Sequence, residues 1–75
     1  MNRKDRLLRA AHLERFVVTL TSGETFDGLL ADADDNSVKL VGAAAVSDTE
    51  SVAVDGDLYL PRHKISYMQN PGGRP

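Results

Sequence analysis

The sequence predicts a mainly β domain, a short N-terminal helix followed by a strongly bent five-stranded antiparallel sheet. Three observations carry that expectation. Three segments between Phe16 and Ala43 alternate apolar and polar residues with period two, and hairpin-sized gaps rich in turn residues separate them. Gly28 interrupts the second segment, where glycine weakens a strand unless the backbone bends sharply or another strand approaches closely.

The residues before the first strand, over about 3–14, read as the helix. Asn2 is its candidate cap, Leu7, Leu8, Ala10, Ala11 and Leu13 supply apolar faces, and neither glycine nor proline interrupts. Arg3, Arg6 and Arg9 recur every three residues and so lie along one side. That side is either a solvated face or a row of phosphate contacts.

In the first strand, about 15–21, Phe16, Val18 and Leu20 share one face. In the second, about 25–33, Phe26, Gly28 and Leu30 do so, and in the third, about 37–43, Val38 and Leu40 do. Gly23 supplies the positive φ that the first turn needs, and Asp34, Asp35 and Asn36 supply side chains that bond nearby backbone in the second. From Gly42 to Ser51 the chain is small and polar apart from Val46, which predicts an exposed loop. Val52, Val54, Leu58 and Leu60 keep one parity, predicting a fourth strand over about 51–61 with a bulge or break at Gly56; a hairpin at Asp55-Gly56 is the alternative. Pro61 lacks the N–H to continue a ladder, so a short turn through Arg62–Lys64 precedes a fifth strand over 65–69. Residues 70–75 are expected to be a flexible tail.

Seventy-five residues make one domain over about 1–69, and a chain this short buries only about 60% of its unfolded surface. No cysteine is present to reinforce it, which leaves self-association as the expected stabiliser. No apolar run is long enough to span a bilayer and the first residues lack the apolar core of a signal peptide, so a cytoplasmic protein without a membrane partner is expected. Frequent Ala, Asp and Arg with scarce Lys suit a GC-rich bacterial or phage genome.

The formal charge of −2 hides a partition. Residues 1–15 carry five basic and two acidic residues, residues 16–61 carry Lys39 against nine acidic residues, and residues 62–75 add Arg62, Lys64 and Arg74. Net positive charge is therefore confined to the two ends of the chain, and a basic patch forms if they meet.

The sequence Val18-x-Leu20, Ser22-Gly23, Phe26-x-Gly28-x-Leu30, an acidic turn, Val38-x-Leu40 and Ala43 resembles the first motif of the Sm, Sm-like and Hfq proteins. Arg62-His63-Lys64-Ile65-Ser66 resembles the Lys-His-Ala-Ile-Ser segment of Hfq, and the likeness spans about Leu7 to Gln69. It implies a small β-barrel whose fourth strand pairs with the fifth strand of the next copy, closing a homo-oligomeric ring as a hexamer or heptamer. It further implies that the turn after the second strand and the turn before the fifth meet at the pore and bind single-stranded, often uridine-rich RNA. The matching positions are Asp34, Asp35, Asn36 and Ser37 in the first turn and Arg62, His63 and Lys64 in the second, with Arg3, Arg6 and Arg9 as rim contacts. Asn and Ser read base edges, Arg and Lys neutralise phosphate, and His or Arg stacks on a base. Such a protein would act in RNA metabolism or post-transcriptional regulation. Ala33 departs from the family in standing where Hfq places an aromatic residue, the first turn is one residue short, and Asp32, Asp34 and Asp35 crowd it with negative charge. The alternative is a structural or protein-binding ring, such as a phage or assembly component, that binds no RNA.

Other chemistries are poorly served. Asp32, Asp34 and Asn36 open like a calcium loop, but Ser37 takes the place of its glycine and Ala43 that of its bidentate glutamate. His12 and His63 lack metal-ligand spacing, and no nucleophile motif accompanies Ser22, Ser66 or His63. No enzyme, metal, cofactor or small-molecule substrate is expected.

Overall fold

The alternating segments become an antiparallel meander in the computed structural model, which describes residues 13–71. Six strands follow in order: β1 (Arg15–Leu20), β2 (Thr25–Ala33), β3 (Ser37–Val46), β4 (Ser51–Ala53), β5 (Leu58–Pro61) and, after a 3-10 turn at Arg62–Lys64, β6 (Ile65–Gln69). Their order in the sheet is β4-β3-β2-β1-β6, with β5 also on β3. The helix expected over 3–14 lies outside the described residues except for Leu13 and Glu14, which are not helical.

The long strand β3 explains why six strands replace the five expected. Its first half pairs with β5, from Ser37 opposite Pro61 to Leu40 opposite Leu58. Its second half pairs with β4, from Ala44 opposite Ala53 to Val46 opposite Ser51. The Val54 N–H still donates to the Ala43 carbonyl at 2.8 Å, so residues 51–61 run along one edge as an interrupted strand. The interruption falls where expected, around Gly56 at φ +74°, and a hairpin at Asp55-Gly56 is excluded.

The loop expected from Gly42 to Ser51 is a misreading. β3 continues through Ala43–Val46, and the connection is a tight turn in which the Ser47 Oγ accepts from the Glu50 N–H at 3.2 Å. Gly42, at φ +58°, conceals the continuation. Asp27 lies opposite Ala44 and Leu29 opposite Val41, so β3 carries one extra residue here, and its inward positions switch from Val38 and Leu40 to Ala43. Strict period two fails across a bulge.

Gly28 meets the expectation of close approach. A Cβ there would stand 3.1 Å from both Cα and Cβ of Ala43 and 3.3 Å from Cβ of Leu40. The core beneath is small: Val18, Val38, Leu40, Ala43 and Leu60 are buried. Phe16, Leu20, Phe26, Leu30, Val54, Leu58, Ile65 and Met68 pack around them. β6, at one end of the sheet order, and β5, which lies off that order on β3, thus feed one cluster, and the sheet curls around it. It does not close, because β6 pairs only with β1, and the outer edges of β4, β5 and β6 stay unpaired among the described residues. Asn70, expected to begin the tail, donates from Nδ2 to Glu14 Oε1 at 3.0 Å and ties the end of β6 to the entry of β1. None of the described residues forms a helix long and apolar enough to cross a membrane.

Candidate functional site

The turn between β2 and β3 is built by Asp34. One of its carboxylate oxygens accepts from the N–H groups of Asn36 and Ser37, both at 2.8 Å, while its own N–H donates to the Ser37 carbonyl at 2.9 Å. An aspartate does this readily because its short side chain reaches backbone two and three residues ahead. Those two N–H donors, Asn36 then Ser37, hold the Asp34 carboxyl below its ordinary pKa, with the Arg62 charge adding to the shift. The Asp34 side chain therefore shapes the turn as well as charging it.

The Arg62–Lys64 turn begins because Pro61 ends β5, and it leads directly into β6. It is held from two sides. The Arg62 N–H donates to the Asn36 carbonyl at 2.9 Å, and the Lys64 carbonyl accepts from the Thr21 N–H at 2.8 Å. The register that sets Ser37 opposite Pro61 brings the two turns together.

Asp34, Asn36 and Ser37 thus share one rim with Arg62, His63 and Lys64, far apart in sequence though they are. Arg62, His63 and Lys64 are exposed, as are Asp34, Asp35 and Asn36, and Ser37 is half-buried. Backbone bonds fix both turns while the side chains of Asn36, Arg62, His63 and Lys64 project into solvent. Asp35 lies in the same turn and Asp32 two residues before Asp34 on β2, all three exposed, and the Arg62 charge acts on the Asp34 carboxyl. Such a surface can hydrogen-bond a base edge, stack on it and pair one or two phosphates, but its negative charges oppose a polyanion. Arg3, Arg6 and Arg9 lie outside the described residues.

Two charged clusters were not anticipated. Arg15 grips Asp27 through both guanidinium arms, with Nε–Oδ1 at 2.7 Å; that hydrogen-bonded pairing raises the Arg15 pKa and lowers that of Asp27. Lys39, the lone cation of the acidic middle, sits 3.5 Å from Asp57 with its Nζ 5.7 Å from the Tyr59 ring centroid. The outward parity of Lys39 and Tyr59 was readable, but their pairing required the register. Among the described residues no group of three or more His, Asp or Glu side chains could hold a metal ion. No family model matches the chain, and no curated protein matches it.

Proposed function

We propose that this is an Sm-like, Hfq-like protein whose copies form a ring of six or seven and bind single-stranded, uridine-rich RNA at the paired turns. The small barrel is then completed between copies, each open sheet supplying one edge to its neighbour. The observation that carries this reading is the junction of the two turns, with the Arg62 N–H on the Asn36 carbonyl, since the motif resemblance requires those two segments to share a site. The unpaired edges and the small core support the ring, because association pairs edge backbone and covers apolar surface that one copy leaves wet.

In this reading Asn36 and Ser37 hydrogen-bond a base, His63 stacks on it, and Arg62 and Lys64 neutralise phosphate. Repetition around the pore multiplies these contacts. Arg3, Arg6 and Arg9 extend them along the rim, and the protein works in the cytoplasm in RNA metabolism or post-transcriptional regulation. No catalysis or cofactor enters. The crowding of Asp32, Asp34 and Asp35 beside the basic turn favours one rival, a structural or protein-binding ring without RNA.

Binding of fluorescent oligouridine and oligoadenine, at low and moderate salt, by protein whose mass is fixed by light scattering separates the readings. The RNA reading expects oligouridine bound by a hexamer or heptamer, with affinity falling steeply as salt rises. Arg62→Ala and Lys64→Ala should each weaken binding and lower the salt slope by about one for every copy whose side chain contacts a phosphate. A ring that ignores both oligomers leaves the structural role, and binding untouched by both substitutions removes the site from these turns.

A further inference from the structure

The chain holds two Asp-Gly pairs, Asp27-Gly28 and Asp55-Gly56, and the fold treats them in opposite ways. Such a pair carries its own reactive couple, because the glycine amide nitrogen can attack the aspartate side-chain carboxyl and no Cβ on the second residue obstructs the approach. The carboxyl must be free to turn back on the main chain, the glycine nitrogen must be uncommitted, and the backbone between them must be free to rotate.

At Asp27-Gly28 the first and third conditions fail. Arg15 holds both oxygens of Asp27, with Nε–Oδ1 at 2.7 Å, and that pairing lowers the Asp27 pKa and so favours the ionised carboxylate, the poorer electrophile. Gly28 is buried inside β2 opposite Phe16 of β1, and on its other side a Cβ would stand 3.1 Å from the Ala43 backbone of β3. Asp55-Gly56 meets all three conditions. Both residues are exposed in the break between β4 and β5. Among the described residues no ion pair engages the Asp55 carboxylate and no backbone carbonyl accepts from the Gly56 N–H. Gly56 stands at φ +74°, with no atom of the described residues beyond its chain neighbours within 4 Å of where its Cβ would be. The asparagines are guarded in their own ways: the Ser37 N–H that follows Asn36 is committed to Asp34 at 2.8 Å, and Asn70 precedes Pro71, which has no N–H.

We propose that Asp55 is a site of spontaneous isoaspartate formation in the folded protein, and that Asp27, with the same Asp-Gly sequence, is not. The Gly56 nitrogen forms a bond to Asp55 Cγ, and one carboxyl oxygen leaves as water with its own proton and the amide proton, closing a succinimide ring. Water then adds to either ring carbonyl. Addition at Cγ breaks the new bond and restores aspartate; addition at the Asp55 main-chain carbonyl breaks the original peptide bond and leaves the chain running through the side-chain carbons. The cycle is redox-neutral and consumes no co-reactant, since the water lost is regained. Its product carries one extra main-chain carbon between Val54, whose N–H is held by the Ala43 carbonyl, and Leu58, opposite Leu40, so the modification falls on the joint of the edge strand.

Cleavage after Arg15, Lys39 and Arg62 places the two pairs on separate tryptic peptides, 16–39 and 40–62. The full chain is held for weeks at mildly acidic pH, folded and in parallel unfolded in guanidinium chloride, and the β-linkages are then located by electron-transfer fragmentation of those peptides. In the folded protein isoaspartate at Asp55 should exceed that at Asp27 at least about tenfold, because Asp27-Gly28 reacts only when β2 opens. In guanidinium chloride, where neither pair is held, the two should agree within about twofold. Equal accumulation at the two pairs in the folded protein would overturn the proposal. So would a folded-state yield at Asp55 about tenfold or more below its unfolded-state yield, which would mean that the break between β4 and β5 protects it. Asp55→Glu, which keeps the charge but lengthens the side chain beyond succinimide closure, should clear the signal from peptide 40–62, and a signal persisting there would assign it to Asp48 or Asp57 and overturn the placement at Asp55.

Discussion

The two halves of β3 differ in what they bury. The first half, Ser37–Leu40, carries Val38 and Leu40, which are essentially inaccessible, and pairs with a β5 that contributes buried Leu60. The second half, Ala43–Val46, buries only Ala43 and pairs with a three-residue β4 that is exposed throughout. The candidate site is mounted on the first half: Ser37 opens β3 and Pro61 closes β5 where the two turns meet. Firm packing thus stands directly behind the side chains proposed to bind, while the hairpin at Ser47–Glu50 is held mainly by its own backbone and hydroxyl bonds. Local opening is expected to begin at the second half and to leave the paired turns intact.

The largest expected effect breaks the first half. Leu40 is wholly buried, and Leu40→Ala should cost about 2–5 kcal/mol through lost transfer energy and a cavity. A small single core rarely supplies more than about 3–5 kcal/mol, so the isolated chain should be largely unfolded, as a urea titration followed by circular dichroism would register. A cost below about 1 kcal/mol would mean that the first half is no better packed than the second.

Gly42 marks the joint between the halves and gives the next effect. At φ +58° it occupies the left-handed region, yet no atom of the described residues beyond its chain neighbours lies within 4 Å of where its Cβ would be. Gly42→Val should therefore cost about 1–2 kcal/mol from backbone strain alone. Gly28 is the opposite case, an ordinary φ with no room, so Gly28→Ala must push the Ala43 backbone aside. If Gly42→Val were neutral by the same titration, the bulge would not be what redirects β3.

These two glycines also mark how far the sequence could be read. Alternation at Phe16–Leu20, Phe26–Leu30 and Val38–Leu40 gave the correct inward faces, and Gly28 announced a close approach before any partner was known. Ala43, Ala44 and Ala45 carry no apolar–polar contrast, and the Gly42 bulge reverses parity just before them, so the second half of β3 read as loop. At the site, Asp34 was recognisable as a turn-former from residue type alone. The contact of Arg62 with Asn36, like those of Lys39 with Asp57 and Tyr59, depends on cross-strand register, which a local pattern leaves open.

A smaller effect concerns the turn at the firm end. The Asp34 carboxyl is depressed in the folded chain by the Asn36 and Ser37 N–H groups, so its contribution is fully present above the ordinary carboxylate pKa of about 4 and is lost as pH falls through the lower folded value. The turn should therefore weaken below about pH 4. Asp34→Ala should lower the melting temperature at pH 7 while reducing the acid sensitivity between pH 4 and pH 2. Retained acid sensitivity in that variant would assign the titration to other carboxylates, Asp27 first, whose pKa is lowered by its hydrogen bond to Arg15.

The smallest effect belongs to the second half. Val52 keeps the parity of Val54 and Leu58 but is 54% exposed, because β4 runs beyond the cover that the core residues provide. Little apolar area is withdrawn from water there, and no cavity can form. Val52→Thr, which keeps the β-branched shape and its strand propensity, should change stability by less than about 0.5 kcal/mol. Urea titration at a concentration where light scattering shows a single chain would isolate this term. A loss above about 1 kcal/mol, comparable to a partly buried valine, would mean that the edge of β4 is covered, and the contrast between the two halves of β3 would then belong to an incomplete surface and not to the fold itself.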